Sequence, residues 1–302
     1  MKVFVTGGSG YIGQATIAAL RRGGHEVTAL VRGEHAATVV SGLGATPVTG
    51  TLGDLGVLRD AAGRADGVIH LAQADGPQAA GIDRDAAAAM QDGAGHGPYV
   101  HTGGTWVYGN TSGLVAEDAP LAPPPIVAWR LDNEKQVLAR AASGGRPVVV
   151  MPGVVYGKAA GLVGHFLVEP ARDRQVVHYI DSGANHWSLV HVDDIAELYV
   201  LALSAPAGSA YCGVTHTDLT MAQVADAASH AAGCPGRTAS VTLEQARTEM
   251  GPIADAFALD QRMDSAKARG ELGWNPPARD ALAELAVPAE TAASAGTARP
   301  GR

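Results

Sequence analysis

Three glycines near the start of the chain have the spacing of a phosphate-binding loop. Gly7, Gly10 and Gly13 occur in VFVTGGSGYIG, between a short apolar stretch and an amphipathic segment. Without side chains, the backbone can turn tightly and bring its N–H groups to a pyrophosphate at the N-terminus of the following helix. An ordinary turn also uses glycine, but the strand-to-helix context favours a dinucleotide site. The residues assigned to this loop are Gly7, Gly10, Tyr11, Ile12 and Gly13.

The residue after the second predicted strand indicates which dinucleotide binds. Sites that prefer NAD(H) place Asp or Glu there to accept hydrogen bonds from the ribose 2′-hydroxyl. This chain has Arg32, whose guanidinium can pair with a 2′-phosphate but cannot accept a hydrogen bond. A solvated surface arginine is the alternative, and the nearby Glu34 leaves NAD(H) possible. We therefore expect NADP(H) as the preferred cofactor.

The elements that must position these residues alternate between short apolar strands and alanine-rich helices. Strands that are apolar on both faces predict an α/β protein with helices on both sides of a parallel sheet. We expect a Rossmann doubly wound parallel sheet with a small C-terminal substrate-binding lobe. The predicted strands are Lys2–Thr6, Glu26–Val31, Thr46–Thr49, Gly67–Leu71, Tyr99–Thr102 and Pro147–Met151. The predicted helices are Ile12–Arg22, Ala36–Gly42, Gly56–Ala62, Asp83–Met90, Leu131–Ser143, Asp193–Leu203 and Met221–Ala232.

The regular alternation ends after Pro152, which sets the predicted domain boundaries. Residues 1–155 should form the dinucleotide-binding core, to which later segments, including about 185–205, return. Residues 156–285 should form mainly the substrate lobe, with 208–232 and 272–285 inside it. Residues 287–302 are small and polar, which predicts a disordered tail.

The composition and charge of the chain indicate which kinds of molecule it binds. The net charge is −8 and the chain has no Lys- or Arg-rich run, so nucleic-acid binding is not expected. No stretch reaches the ~18 apolar residues that cross a bilayer, and two cysteines without a CxxC motif predict reduced thiols. We expect a cytoplasmic protein whose partner is a small-molecule substrate, without membrane contact; the oligomeric state stays open.

Seven motifs, in order, resemble the extended or atypical short-chain dehydrogenase/reductase superfamily, which contains sugar-nucleotide epimerases and dehydratases. They are TGGSGYIG (6–13), GDL (53–55), HLA (70–72), VYG (107–109), PGVVYG (152–157), VHVDDIA (190–196) and ELGWNP (271–276). The match covers about residues 1–285. The resemblance implies further cofactor contacts at the adenine, along the dinucleotide and at the nicotinamide end. In that order these are Asp54 and Leu55, then Leu71, Ala72 and Thr102, then Arg130, Pro152, Val154 and Val155.

The chain differs from this family at the positions of the family's catalytic residues. The alignment places Gly104 at the usual Ser or Thr, Ile126 at the proton-donating Tyr, and Arg130 at the Lys; the chain contains no YxxxK sequence. Ile126 cannot donate a proton to a carbonyl oxygen. Arg130 is too basic to do so, although it could still hold the nicotinamide ribose. The catalytic residue is therefore unknown from the sequence.

Three functions remain open. The first is an NADPH-dependent ketoreductase whose proton comes from water, a displaced residue or the substrate, because a phenolic hydroxyl beside a ketone can supply one. In this respect the chain is similar to atypical ketoreductases that act on aromatic, angucyclinone-like polyketides in antibiotic pathways. The second is a non-redox isomerase or cyclase, or a sugar epimerase-like enzyme. The third is a catalytically silent NADP(H)-sensing protein. We favour the first.

Hydroxyl groups and large rings near the replaced positions are the candidates for a substrate pocket. Flat indole rings could stack on a planar aromatic ketone, although each could equally be a core residue. His186 could act as an acid or base near neutral pH. The candidates are Thr105, Trp106, Tyr108, Trp129, His186 and Trp187.

The HVDD segment does not predict a metal site. His186 and His191 are five residues apart, there is no HExxH motif, and Asp193 and Asp194 point to different faces of a helix. His191 and Asp194 should instead cap and pack the helix that begins near Asp193. No metal is expected.

Overall fold

Helices and strands alternate along most of the chain in the computed structural model, which describes residues 1–288. The strands are β1 (Lys2–Thr6), β2 (Glu26–Val31), β3 (Thr46–Thr49), β4 (Gly67–His70), β5 (Pro98–Thr102), β6 (Leu114–Val115), β7 (Arg146–Pro152), β8 (Val154–Tyr156), β9 (Val177–Ile180), β10 (His186–His191), β11 (Ser209–Gly213), β12 (His216–Thr220), β13 (Thr238–Val241) and β14 (Arg262–Met263). The helices are α1 (Tyr11–Arg22), α2 (Glu34–Gly42), α3 (Leu55–Gly63), α4 (Ala79–Ala94), α5 (Trp129–Ala139), α6 (Gly161–Val163), α7 (Glu169–Arg174), α8 (Val192–Ala202), α9 (Met221–Ala231), α10 (Leu243–Met250), α11 (Ile253–Phe257), α12 (Ala266–Leu272) and α13 (Ala281–Leu285). Within residues 1–288, none of these helices combines the length and hydropathy that crossing a membrane requires.

The central sheet has seven parallel strands in the order β11-β7-β5-β4-β1-β2-β3. From β1 the chain builds outward to β3 on one side and to β11 on the other, so the winding direction reverses beside β1. This is the Rossmann-like α/β fold that the sequence predicted. In such a sheet the ligand crevice opens at the carboxyl ends of the strands that flank the reversal. Here those strands are β1 and β4.

Strand β1 shows why the sheet strands are apolar on both faces. Val3 and Val5 pack with α1 and α8 on one face, whereas Phe4 packs against the cluster on the opposite face. Successive side chains of a strand point to opposite faces, so both sets are buried when helices cover both sides. All three side chains are fully buried.

A second hydrophobic cluster forms a smaller lobe beside the carboxyl ends of the strands. Strands β8, β10 and β12 make a three-stranded sheet, and β9 pairs with β13. Helices α9, α10, α11 and α13 pack with them around Trp187, Leu189 and Phe257. The segment 161–174, which had no predicted structure, is helical, and it contains a widened turn with π-type hydrogen bonding at Gly164–Val168.

Parts of the segments assigned to the lobe belong to the core instead. Strand β11, inside the segment 208–232, pairs with β7 at the edge of the central sheet, where Tyr211 is fully buried. Helix α8 returns the chain across the sheet, and such a crossover delivers the next strand parallel to its neighbour. Trp274, inside 272–285, also packs in the core cluster. The predicted tail at 287–302 lies almost wholly outside the described residues.

Candidate active site

The turn between β1 and α1 has the shape of a phosphate cradle. Gly7 has φ +71°, and the N–H of Gly10 donates to its carbonyl oxygen at 3.0 Å. A Cβ at Gly13 would stand 2.0 Å from the same oxygen, so the helix can approach the loop this closely only with glycine. No acidic side chain occupies the first turn of α1. The positive end of the helix is therefore available to an anion, and the residues present fit a dinucleotide pyrophosphate.

A cavity of about 620 Å³ opens over this loop, between the core and the smaller lobe. Its volume lies within the range of about 300–1,000 Å³ that is usual for small-molecule sites. The cavity is lined by Gly7, Gly10, Tyr11, Ile12, Gly13, Leu71, Gln73, Thr102, Gly103, Gly104, Thr105, Trp106, Ile126, Val127, Trp129, Arg130, Pro152, Gly153, Val155, Gly161, Leu162, His165 and Ile253. Fifteen of these are residues that the sequence had singled out, so the structure brings most of the candidate site together. Their individual roles stay predictions.

The three replaced family positions meet at this cavity. Gly104, Ile126 and Arg130 all line it, and Arg130 is held in place by its surroundings. Its Nη1 donates to the Thr102 carbonyl oxygen at 3.2 Å, and its other terminal nitrogen bonds to the side chain of Gln73. The guanidinium carbon lies 4.6 Å from the centroid of the neighbouring indole ring. Arg130 therefore supplies a positive charge to a wall on which no acidic side chain appears among the lining residues.

Two residues predicted near the site face away from the cavity. Val154 packs in the lobe cluster, whereas its neighbour Val155 lines the cavity, because adjacent residues of a strand point to opposite faces. Tyr108 is buried, and its hydroxyl donates to the carbonyl oxygen of Glu117 at 3.0 Å. Val154 and Tyr108 are therefore packing residues, which corrects the expectation for both.

His186 and Trp187 also lie outside the cavity. His186 Nδ1 is 2.8 Å from an oxygen of Asp260, and the ring also contacts Arg262. Trp187 is buried, and its indole N–H donates to the Phe257 carbonyl oxygen at 2.9 Å. These contacts belong to the packing of β10 against the segment before β14. The expectation that both residues line a substrate pocket is corrected accordingly.

The remaining cofactor candidates, which are Arg32, Asp54, Leu55 and Ala72, do not line the cavity. Arg32 is exposed directly after β2. Asp54 is also exposed, and bonds from the backbone and hydroxyl of Thr51, at 2.7 and 2.8 Å, hold the pKa of its carboxyl below the usual range. Leu55 is the first residue of α3. The N–H of Ala72 donates to the hydroxyl of Thr6, the last residue of β1. Their contacts with a cofactor remain predictions.

A hydrogen-bonded chain that the sequence did not reveal joins the strand ends beneath the cavity. The hydroxyl of Thr6 lies 2.6 Å from Nδ1 of His70, and the Thr102 hydroxyl donates to the His70 carbonyl oxygen at 2.7 Å. Tyr199, from α8, donates to the Thr102 hydroxyl at 3.0 Å. These bonds hold the carboxyl ends of β1, β4 and β5 together. They join residues up to 97 positions apart, so no local pattern could have predicted them.

Asp83 lies at the centre of a buried cluster behind the same strand ends. Its two oxygens lie 3.3 and 3.7 Å from Nε2 of His70 and His101, and Asn133 donates to one of them at 2.8 Å. Burial alone would raise the pKa of Asp83, but these partners hold it below the usual range. Burial lowers the pKa of His101 to about 3. Among residues 1–288, this is the cluster whose donor types and spacing could also suit a metal ion. The expectation of no metal therefore stays a prediction.

The predicted roles of the HVDD segment are confirmed. The His191 side chain accepts a hydrogen bond from the N–H of Asp193 at 3.1 Å and so caps α8. Asp194 is buried and pairs with Arg279 at 3.1 Å. Both residues stabilise the helix and do not enter the cavity.

Several lining residues were missed by sequence reasoning. Most are small or apolar, and the two exceptions are Gln73 and His165. His165 projects from the widened helical turn of the small lobe, and its Nδ1 lies 3.0 Å from an oxygen of Glu169. The missed residues are Gln73, Gly103, Val127, Gly153, Gly161, Leu162, His165 and Ile253. Gly153 lies in the PGVVYG motif, and the other seven belong to none of the family motifs.

A glycine loop at the reversal point of a doubly wound sheet, with a cavity directly above it, defines a dinucleotide-binding protein of the Rossmann class. Residues 3–211 match the NAD dependent epimerase/dehydratase family, and the chain belongs to this family. The family supports an enzymatic function with a nicotinamide cofactor.

The chain is also similar to individual relatives and to solved structures. An uncharacterized protein of Schizosaccharomyces pombe is 31% identical over 294 residues, which cover 95% of this chain and 98% of the relative. The 4-hydroxy-2-methyl-3-oxo-4-farnesyl-3,4-dihydroquinoline-1-oxide ketoreductase of Stigmatella aurantiaca is 30% identical over 225 residues, covering 70% and 67% of the two chains. The dTDP-glucose 4,6-dehydratase of Streptomyces venezuelae, solved with NAD bound, superposes with a TM-score of 0.78 at 22% identity over 95% of each chain. The last similarity shows the fold alone.

Proposed function

We propose that the protein is an NADPH-dependent ketoreductase that reduces a ketone of a planar aromatic, angucyclinone-like polyketide. The observation that carries this proposal is that the glycine loop and a wall of large apolar side chains line the same cavity. The similarity to the Stigmatella aurantiaca ketoreductase, which spans more than two thirds of this chain, supports the reaction class.

The wall of the cavity favours an apolar, flat substrate. Trp106 and Trp129 offer two indole rings, and Ile126, Leu162 and Ile253 add aliphatic surface. Burying such surfaces against a hydrophobic ligand is favourable, and flat rings gain additional energy by stacking. A sugar nucleotide would instead bring many hydroxyl groups that need polar partners. We therefore favour an aromatic ketone over a sugar.

The cofactor would lie along the carboxyl ends of the strands. When bound, NADPH supplies a hydride. The N–H groups that follow Gly10 would bind the pyrophosphate, and Arg32 would pair with the 2′-phosphate. Arg130 would hold the nicotinamide ribose in place of the family's lysine, while Pro152 and Val155 would line the nicotinamide end.

A cofactor-oxidation screen tests this proposal. Purified protein is mixed with hydroxylated aromatic ketones and with either NADPH or NADH, and the loss of reduced-nicotinamide absorbance is followed. We expect NADPH to be consumed in the presence of such a ketone and the alcohol to be detected by mass spectrometry. UDP-glucose and dTDP-glucose with NAD test the epimerase-like alternative. Turnover of a ketone without cofactor oxidation would point to an isomerase or cyclase, and tight NADPH binding without any turnover to a sensor.

A further inference from the structure

We propose that His165 is the catalytic residue that donates the proton in carbonyl reduction, in place of the tyrosine that the family would place at Ile126. The inference rests on the proposed reductase function. It is drawn from the set of side chains that line the cavity, in which His165 is the one imidazole. An imidazole can release and regain a proton between about pH 5 and 8.

The other lining groups that carry a transferable proton are engaged or unsuited. Tyr11 donates its hydroxyl hydrogen to the Gly157 carbonyl oxygen at 2.8 Å, and burial raises the pKa of that phenol far above its usual value. The hydroxyl of Thr102 donates to a main-chain carbonyl oxygen at 2.7 Å. Arg130 keeps its proton at all physiological pH values. The Thr105 hydroxyl also lines the cavity, but an aliphatic hydroxyl is a far weaker acid than an imidazolium. Among these groups, His165 is the one suited to release a proton near neutral pH.

His165 is built into an irregular part of the helix that forms the lobe side of the cavity. The turn Gly164–Val168 is widened to π-type hydrogen bonding, and this helix irregularity is frequent at functional sites. The ring of Phe166 packs edge-on against the imidazole, with centroids 4.6 Å apart. His165 thus lines the cavity from this widened turn, with one face of its ring covered by Phe166.

Glu169 orients the imidazole. Its carboxylate lies 3.0 Å from Nδ1 of His165, which leaves Nε2 as the nitrogen available to a ligand. The two side chains are 67% and 63% exposed, so solvent can return a proton after each turnover. Glu169 is thus a positioning residue.

The reaction balances without any further reactant. The carbonyl carbon gains a hydride from the reduced nicotinamide dinucleotide, and the electron pair of the C=O π bond moves to oxygen. The oxygen then takes the proton from Nε2 of His165 as the O–H bond forms. The products are the alcohol, the oxidised dinucleotide and a neutral imidazole, which solvent protonates again.

His165 has one bonded charged partner, and further titratable groups share its cavity. Glu169 bonds to it, and Arg130 and Tyr11 share the cavity from the core side. Because the phenol of Tyr11 stays protonated and Arg130 stays charged, neither changes its charge between about pH 6 and 8.5. A pH dependence that disappears with the imidazole would therefore report on His165.

The test compares wild-type protein with His165→Gln in single-turnover reduction of 1-tetralone and 8-hydroxy-1-tetralone by NADPH. We expect the wild-type rate to fall at least about tenfold between about pH 6 and 8.5, because a general acid of the imidazole type becomes less available as the pH rises. His165→Gln should lose about a hundredfold or more of the rate and show a flat pH profile. Binding of 8-hydroxy-1-tetralone, followed by tryptophan fluorescence, should change less than about threefold.

The matched control is His178→Gln. His178 makes the same kind of pair on the same lobe, with Nδ1 3.0 Å from Glu249, but it does not line the cavity. Its variant should keep the wild-type rate and pH profile. If His165→Gln also keeps them, or if only the hydroxylated tetralone is reduced, the proton comes from water or substrate and the assignment to His165 fails. If the wild-type protein reduces neither these nor any other ketone, the proposed function fails, and the assignment with it.

Discussion

Gly13 packs so closely against Gly7 that an added Cβ would stand 2.0 Å from the Gly7 carbonyl oxygen. Replacing Gly13 by Ala must therefore push α1 away from the loop. We expect Gly13→Ala to lower the free energy of unfolding by about 1–3 kcal/mol. It should weaken NADPH binding at least about tenfold, because the N–H groups of the loop shift. Chemical denaturation and calorimetric titration measure the two effects.

Gly56 provides the control for this substitution. It lies in α3, and beyond its own helix backbone and chain neighbours no atom comes within 4 Å of the position that a Cβ would occupy. Gly56→Ala should leave NADPH binding unchanged and stabilise the protein by up to about 1 kcal/mol through the helix propensity of alanine. Wild-type affinity in Gly13→Ala would show that the loop does not bind the pyrophosphate.

Arg32 should determine the preference for NADPH. Its side chain is exposed at the end of β2 and free to reach a 2′-phosphate. Arg32→Asp replaces a phosphate-pairing cation by a group suited to a ribose hydroxyl, so NADPH affinity should fall about 30-fold or more while NADH affinity changes little. Calorimetric titration with both cofactors measures this ratio. Arg64→Asp, at an exposed position outside the cavity, is the control for the change in net charge. If Arg32→Asp loses affinity equally for NADPH and NADH, the assignment of Arg32 to the 2′-phosphate is wrong.

Two substitutions at Ile126 distinguish the effect of side-chain shape on kcat from the effect of an added acid. Ile126→Phe and Ile126→Tyr introduce rings of similar size that differ by one hydroxyl. If the proton comes from elsewhere, the two variants should reduce 8-hydroxy-1-tetralone at rates within about threefold of each other. The comparison uses steady-state kcat at neutral pH. A many-fold higher kcat for Ile126→Tyr would show that the missing tyrosine limits the wild-type protein.

Asp83 should stabilise the strand ends beneath the cavity. It is buried, and His70, His101 and Asn133 surround its carboxylate. Asp83→Ala leaves these groups without their common partner, so we expect a loss of about 3–5 kcal/mol in the free energy of unfolding. Urea denaturation measures the loss. Asp85→Ala, at an exposed position on the same helix, should change stability by no more than about 0.5 kcal/mol; a similarly small effect at Asp83 would contradict its structural role.

Glu134 should make stability fall as the pH rises. Burial raises the pKa of its carboxyl from 4.5 to about 7, and its Oε1 has no hydrogen-bond partner within the described residues. The folded state therefore binds this proton more tightly than the unfolded state. Its stabilising effect is complete below about pH 4.5 and is lost as the pH rises through about 7. Glu134→Gln stays neutral and should gain in Tm relative to wild type at pH 8, but not at pH 5.

Differential scanning fluorimetry at the two pH values measures this difference for Glu134. Glu26→Gln, at an exposed position in β2, serves as the control and should show the same small Tm difference at both values. An equal Tm difference for Glu134→Gln at pH 5 and pH 8 would show that the buried carboxyl does not titrate in this range.

The parallel sheet and the glycine loop could be predicted because their signals are local. A strand covered on both faces must be apolar throughout, as β1 is, and a loop that closes on a pyrophosphate needs glycine at Gly7 and Gly13. The loss of the Tyr and Lys at Ile126 and Arg130 is equally visible in the sequence, since the family motif has a fixed spacing. These features depend on neighbours within a few residues.

The sequence by itself thus determined the fold class, the cofactor loop and the absence of the usual acid. The tertiary structure alone decided which side chains meet in the cavity. It separated Val155, which lines the cavity, from Val154, and it brought His165 of the lobe to the same cavity as Arg130 of the core. It also joined Tyr199 to Thr102, 97 residues apart. The physical reason is that backbone turns and hydrophobic periodicity act over short distances along the chain, whereas a binding site forms from contacts between distant segments that only packing brings together.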